Sequence, residues 1–213
     1  MKKYLISLGL LAGLGTTVQA QDIYGGIGLP GLYTLGYAHP VSQSWGVRGE
    51  YAGGLSASAN GTDNGVRYDA TFKSSRAGLF ADWFPFNGGF RLVGGVTAND
   101  TKLTVNGVGG PNTTIGNVTT DTTGKKFNVN LKYPSTTAYL GLGYGHHVST
   151  KGLGFYADVG VTLGSFSAEI DTDLVGYNGI TQADVDAQKK KMNDSLGGLG
   201  YLPSVSVGMV YRF

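Results

Sequence analysis

The stretch Tyr201-Leu202-Pro203-Ser204-Val205-Ser206-Val207-Gly208-Met209-Val210-Tyr211-Arg212-Phe213 places apolar or aromatic residues at the odd positions and mostly small or polar ones between them. A period of two is the pattern of a β-strand with one apolar face. Leu153, Phe155, Ala157, Val159, Val161 and Leu163 repeat it, alternating with Gly154, Tyr156, Asp158, Gly160, Thr162 and Gly164. A soluble sandwich shares this alternation, so the rest of the chain must say where the apolar face points.

Working back from the end, the same patterning marks strands near 22–29, 32–41, 44–58, 65–84, 89–106, 125–148, 152–171 and 200–213. The expected fold is therefore all-β: an eight-stranded antiparallel up-and-down transmembrane β-barrel. An even strand number puts both ends of the chain on one side, the periplasm in bacterial barrels, with short turns there and longer loops outside. The connections after strands two, four and six are tight, at Ser42-Gln43, Phe86-Asn87-Gly88 and Ser149-Thr150-Lys151. The opposite loops near 59–64, 107–124 and 172–199 are longer and polar, and only Pro30-Gly31 is short. In lipid each backbone polar group must be paired within the protein, so alternating strands span only as a closed sheet. Eight strands leave an interior that side chains can fill, which excludes a wide aqueous pore.

Residues 1–20 read as a cleaved signal peptide: Lys2-Lys3, an apolar run from Tyr4 to Gly15, then Val18-Gln19-Ala20. The barrel domain is then 21–213. The chain has 16 basic and 14 acidic residues, so removing Lys2 and Lys3 leaves the two balanced, and nothing suggests nucleic acid. Cysteine is absent, which excludes disulfides and thiol chemistry, while 37 Gly, 13 Tyr and 9 Phe suit a Gly/aromatic β protein. Pro134 and Pro203 fall inside strands six and eight, about ten residues above the periplasmic end, and are expected to mark the outer membrane boundary at bulges or irregular pairing.

Three segments carry a family resemblance: Ala81-Asp82-Trp83-Phe84-Pro85-Phe86-Asn87-Gly88-Gly89-Phe90-Arg91, Ala138-Tyr139-Leu140-Gly141-Leu142-Gly143-Tyr144-Gly145, and Tyr201-Leu202-Pro203 running to Tyr211-Arg212-Phe213. The chain resembles the small proteobacterial outer-membrane barrel proteins of OmpW-like and OmpX-like design. The resemblance implies location in the Gram-negative outer membrane and assembly by the barrel-assembly machinery, which would read Tyr211 and Phe213.

Side-chain parity assigns the interior. Near the periplasmic end it places Arg48, Glu50, Asp82, Arg91, Asp158 and Arg212 inside, with Asp82 and Arg91 paired across the Phe86-Asn87 hairpin. Buried charges persist when paired, so these six read as a salt-bridged plug or as a charged constriction selecting small solutes. Trp45, Trp83, Phe90, Tyr144, Tyr211 and Phe213 face outward at that end as an aromatic girdle.

Above the membrane, constant parity reverses the apolar face. Tyr68 and Phe72 on strand four, Leu103 on strand five, Phe127, Val129 and Leu131 on strand six, and Phe166 and Ile170 on strand seven point inward, while Arg67, Asp69, Lys73, Asn128, Asn130, Lys132 and Glu169 point out. A bulge in each of four strands is the less economical account. This apolar interior reads either as a packed extracellular core or as a pocket for a small hydrophobic solute.

A short helix is expected in the last extracellular loop. Thr181 and Asp184 form a capping box, Ile180 and Val185 a staple, Lys189, Lys190 and Lys191 suit its end, and Gly197 terminates it. It would lie loosely over the barrel mouth as a lid, or as a surface cap near lipopolysaccharide phosphates.

His39, His146 and His147 are the only imidazoles and lie near periplasmic strand ends, with no nucleophile pattern beside them; the adjacent pair reads as interfacial. No enzyme activity, cofactor or metal site is expected. The functional expectation is a structural or surface-interaction barrel with outer-membrane lipid and lipopolysaccharide as surroundings; the alternative, implied by the OmpW resemblance, is a conduit or binding protein for small hydrophobic molecules.

Overall fold

The computed structural model describes residues 21–63, 65–146, 151–198 and 200–213; the expected signal peptide, His147 and most of the tight turn after strand six lie outside them. Eight hydrogen-bonded strands close a ring. In chain order they are β1 (Asp22–Leu29), β2 (Tyr33–Pro40), β3 (Trp45–Asp63), β4 (Val66–Trp83) and β5 (Phe90–Val108), then two strands each built from two segments, and finally β12 (Tyr201–Arg212). The sixth strand is β8 (Lys126–Lys132) followed by β9 (Thr136–Tyr144), and the seventh is β10 (Gly152–Leu163) followed by β11 (Ser167–Thr172). Closure runs through β1 and β12, with Asp22 opposite Arg212 and Leu29 opposite Val205.

The outside of the ring is apolar: Ile23, Ile27, Leu35, Val47, Leu79, Val96, Leu140, Phe155 and Val207 are among its exposed residues. Water would not tolerate so continuous a band, whereas lipid requires it. Trp45 and Trp83 stack at 6.2 Å between ring centres on the rim that carries both ends of the barrel, with Phe90, Tyr144, Tyr211 and Phe213 also exposed there.

The wall is uneven in height. β1 and β2 stop at eight residues and β12 at twelve, while β3, β4 and β5 run to eighteen or nineteen. Upper β3, β4, β5, β8 and β11 therefore stand above the ring as a five-stranded sheet on one side. The sequence segment 59–64, expected as a loop, is largely part of this sheet, since Asn60 and Gly61 pair with Asp69 and Tyr68.

The two strand prolines differ. At Pro134 the ladder is interrupted between β8 and β9, as irregular pairing requires: the alignment with β5 continues, with Lys102 opposite Lys132 and Ala98 opposite Thr136, while the alignment with the seventh strand slips by two residues between Ala138 opposite Leu163 and Lys132 opposite Ser167. Pro203 stays in regular register opposite Val161, above the last β1 pair, where β12 has one neighbour only. The bulge lies instead on β3, where Gly53 and Gly54 oppose Ser75; Gly54 takes φ +83°, which a side chain would resist.

Between β5 and β8 a small hairpin, β6 (Thr113–Ile115) with β7 (Val118–Thr120), folds over the tall wall. The helix α1 (Gln182–Gly197) follows β11. Its capping box is complete: the Thr181 hydroxyl accepts from the Asp184 amide and the Asp184 carboxylate accepts from Thr181, which holds that carboxyl below its ordinary pKa. Val185 is buried with Leu174 and Ile180 in one cluster. The helix continues six residues beyond Lys191, so the lysines sit within it rather than at its end. Lys191 instead donates to the Gly116 carbonyl at 2.7 Å and ties the helix to the hairpin.

Candidate functional site

Even-numbered residues of β1, β2, β4, β10 and β12, and odd-numbered residues of β5 and β9, turn into the ring, as do Arg48, Glu50 and Ala52 of β3. The inward aromatic rings need space that neighbouring glycines provide. A Cβ on Gly36 would lie 2.2 Å from the Tyr24 ring, and one on Gly143 would lie 2.1 Å from Asp158 Oδ1. The lumen is thus packed to the point where a methyl group does not fit.

The six charged residues named from parity all face this interior. Arg48 is their hub: its Nε lies 2.8 Å from Asp82 Oδ2, and its Nη1 lies 3.2 Å from Glu50 and 3.5 Å from Asp158. Asp82 and Arg91 are not the primary pair. They approach to 3.6 Å, but Arg91 Nη2 makes 2.6 and 2.8 Å contacts to both Asp158 oxygens and its Nη1 donates to the Gly145 carbonyl. The register explains this: Val93, not Arg91, stands opposite Asp82. Arg212 binds Asp22 through two nitrogens at 2.6 and 2.7 Å, one level below.

Asp22 and Arg76 complete the network and were not named from the sequence. Arg76 holds Glu50 at 2.8 Å and Ser204 at 3.0 Å, and shares the parity of Asp82 on β4, which was the available signal. Asp22 faces Arg212 directly across the closing seam. With both included, four arginines and four carboxylates are buried among the described residues. Tyr24 donates to Glu50 at 3.0 Å, and Phe80 and Tyr139 lie under the guanidinium groups of Arg48 and Arg76.

His146, read from the sequence as interfacial, is buried in the floor of the barrel. Its backbone takes φ +60°, swinging the ring inward to within 4.4 Å of Tyr24, edge to face. Strand parity does not reach a turn residue in that conformation.

Above the plug the apolar residues face inward on three aligned rows: Tyr68, Gly107, Phe127 and Thr172; Ala70, Val105, Val129 and Ile170; Phe72, Leu103, Leu131 and Ala168. Phe166 packs against Tyr133 at 5.1 Å. They do not enclose one pocket. Phe127, Val129 and Ile170 line a cavity of about 210 Å³ closed by Ile115 of the hairpin and Val185 and Met192 of α1, while Tyr68, Phe72, Leu103, Leu131 and Phe166 lie outside its lining. Helix α1 covers the inner face of the tall wall rather than the mouth of the ring, and Asn193 Oδ1 accepts the Ala168 amide at 2.7 Å on β11. A larger hollow of about 930 Å³ wraps the upper edge, touching both faces of the sheet at Arg67, Tyr68 and Asp69, and is open to solvent.

No protein-family model and no curated protein sequence matches this chain. Among solved structures, it is similar to CarO of Acinetobacter baumannii, with 21% identity and a TM-score of 0.57 over 92% of this chain and 98% of that one. It is also similar to CarO2 of Acinetobacter baumannii, with 22% identity and a TM-score of 0.59 over the same shares. The chain therefore has the fold of these barrels: an antiparallel eight-stranded ring with a helix near the end of the chain; inside this ring lie the buried salt bridges described above.

Proposed function

We propose that the chain is an integral protein of the Gram-negative outer membrane, exported by its signal peptide and assembled through Tyr211 and Phe213, with a lumen closed to solutes and a structural or surface-interaction role carried by its tall extracellular wall. The observation that carries this reading is the plug. Eight buried charged side chains, paired four against four, occupy the space through which a solute would pass. Closing a lumen with charge is costly unless each group is paired, and here each acid has an arginine within 3.5 Å. The purified barrel in a planar lipid bilayer is expected to insert without producing conductance steps; stable, discrete steps would overturn the closed-lumen reading.

A second reading, binding of a small hydrophobic solute, is favoured by the cavity under α1. Its volume of about 210 Å³ and its lining of Phe127, Val129 and Ile170 suit a compact apolar molecule. Because the plug blocks the way down, such a solute would enter and leave at the side, over the low wall of β1, β2 and β12. An apolar fluorescent probe should brighten with the folded barrel and lose most of that signal with Ile170→Trp, which fills the cavity. Equal signals from both proteins would remove this reading.

A further inference from the structure

Three lysines stand in one row on the outside of the wall. Lys73 of β4 is directly opposite Lys102 of β5, which is directly opposite Lys132 of β8. All three are outward by parity, since their neighbours Phe72, Leu103 and Leu131 face in. Like charges directly across a strand pair repel at Cβ separations of about 5 Å, so the sheet holds a concentrated positive charge that its own fold does not require.

The height of the row is informative. Directly below it the outward row is Ser75 with Asp100, and the rows beneath that are apolar or small: Ala77 with Ala98, Leu79 with Val96, Ala81 with Gly94, and finally Trp83 with Leu92 at the girdle. Ten residues separate Trp83 from Lys73. At a rise of about 3.3 Å per residue and a tilt of about 40°, that is roughly 25 Å, the height of the apolar band of such barrels. The row thus sits where hydrocarbon ends and outer-leaflet headgroups begin. At the opposite, low side of the ring the rim exposes Leu29, Leu32, Tyr33 and Tyr201, and the segments 29–33 and 200–203 contain no basic residue.

Two acids flank the row and offset part of its charge, but neither pair is locked. Asp100 lies 3.7 Å from Lys102, Glu169 lies 2.6 Å from Lys132, and all four side chains are substantially exposed, where ion pairs are weak. Lys73 has no carboxylate within 4 Å among the described residues. In the next outward row up, Thr71, Thr104 and Asn130 offer hydroxyl and amide groups.

We infer that Lys73, Lys102 and Lys132 form a site for a phosphate-bearing headgroup of an outer-leaflet glycolipid. The site rests on the membrane reading above. Three ammonium groups at one height match phosphate monoesters held in the plane of the leaflet, and ammonium binds phosphate as a point charge without demanding a fixed fork geometry.

The test uses the full folded barrel in neutral detergent, titrated with bis-phosphorylated lipid A, with dephosphorylated lipid A and with inorganic phosphate, and read by native mass spectrometry. Wild type is expected to bind the phosphorylated lipid, and the triple variant Lys73→Gln, Lys102→Gln, Lys132→Gln to bind it roughly tenfold to a hundredfold more weakly. A Lys189→Gln, Lys190→Gln control on α1 is expected to keep wild-type affinity. Equal binding by wild type and the triple variant would overturn the site, as would equal wild-type affinity for the dephosphorylated lipid. Displacement of the lipid by equimolar inorganic phosphate would overturn the lipid source. Protease protection of the same proteins in phosphatidylcholine vesicles reports on the membrane reading separately: a protected wild-type barrel with unchanged triple-variant binding rejects the lysine site alone.

Discussion

Replacing Arg48 with methionine is expected to lower the unfolding free energy of the barrel by about 3–5 kcal/mol. Methionine roughly conserves the aliphatic volume, so packing loss is small and the effect is electrostatic. Arg48 touches Glu50, Asp82 and Asp158, and its removal leaves Asp82 with only the 3.6 Å contact to Arg91. A buried carboxylate without a close partner keeps its full desolvation penalty or must take up a proton. Urea unfolding from lipid vesicles, followed through Trp45 and Trp83, measures the change. The exposed Arg67→Met serves as control and should shift stability by less than about 0.5 kcal/mol. A loss under about 1 kcal/mol for Arg48→Met would show that the plug is not held by its charges.

Emptying the plug in balanced fashion should have the opposite character. The fourfold variant Arg48→Ser, Asp82→Ser, Arg91→Ser, Asp158→Ser removes two positive and two negative groups and leaves the Arg76–Glu50 pair, at 2.8 Å, intact. No buried charge loses its sole partner, so the barrel should still fold. Small hydroxyls in place of long side chains leave room for water, and discrete conductance steps should appear in planar bilayers where wild type is silent. A folded variant, verified by heat-shifted gel mobility, that stays silent would assign closure to the rings of Tyr24, Phe80, Tyr139 and Tyr156 instead.

Much of this was legible in the chain because a strand has only two faces. Once Asp158 and Arg212 are placed on even positions, the whole of β10 and β12 follows, and a regular ladder carries the choice to each neighbour. The inward turn of Phe72, Leu103, Leu131 and Ile170 was readable for the same reason. The bulge at Gly53 and Gly54 alters parity on β3, above the plug, and β4 and β5 keep theirs throughout.

What parity could not supply was partnership. Asp82 and Arg91 are close along the chain, and pairing them by the hairpin is natural; the closed ring brings Asp158, 67 residues from Arg91, to a shorter distance. His146 escaped because its orientation depends on a positive φ in a turn, where alternation stops. The cavity was misjudged in extent because the hairpin β6–β7 and helix α1 fold onto only part of the apolar face, a choice made by contacts such as Lys191 to Gly116 and Asn193 to Ala168.

The sequence by itself determined the strand count, the outward apolar belt, the parity by which six of the lumen charges face inward and the level at which the apolar face turns inward, because each depends on a local period of two. Only the tertiary structure decided which charges meet, where the lumen floor closes, which apolar residues remain open and that three lysines share one row. Those properties depend on register between strands distant in the chain, and register is set when the ring closes.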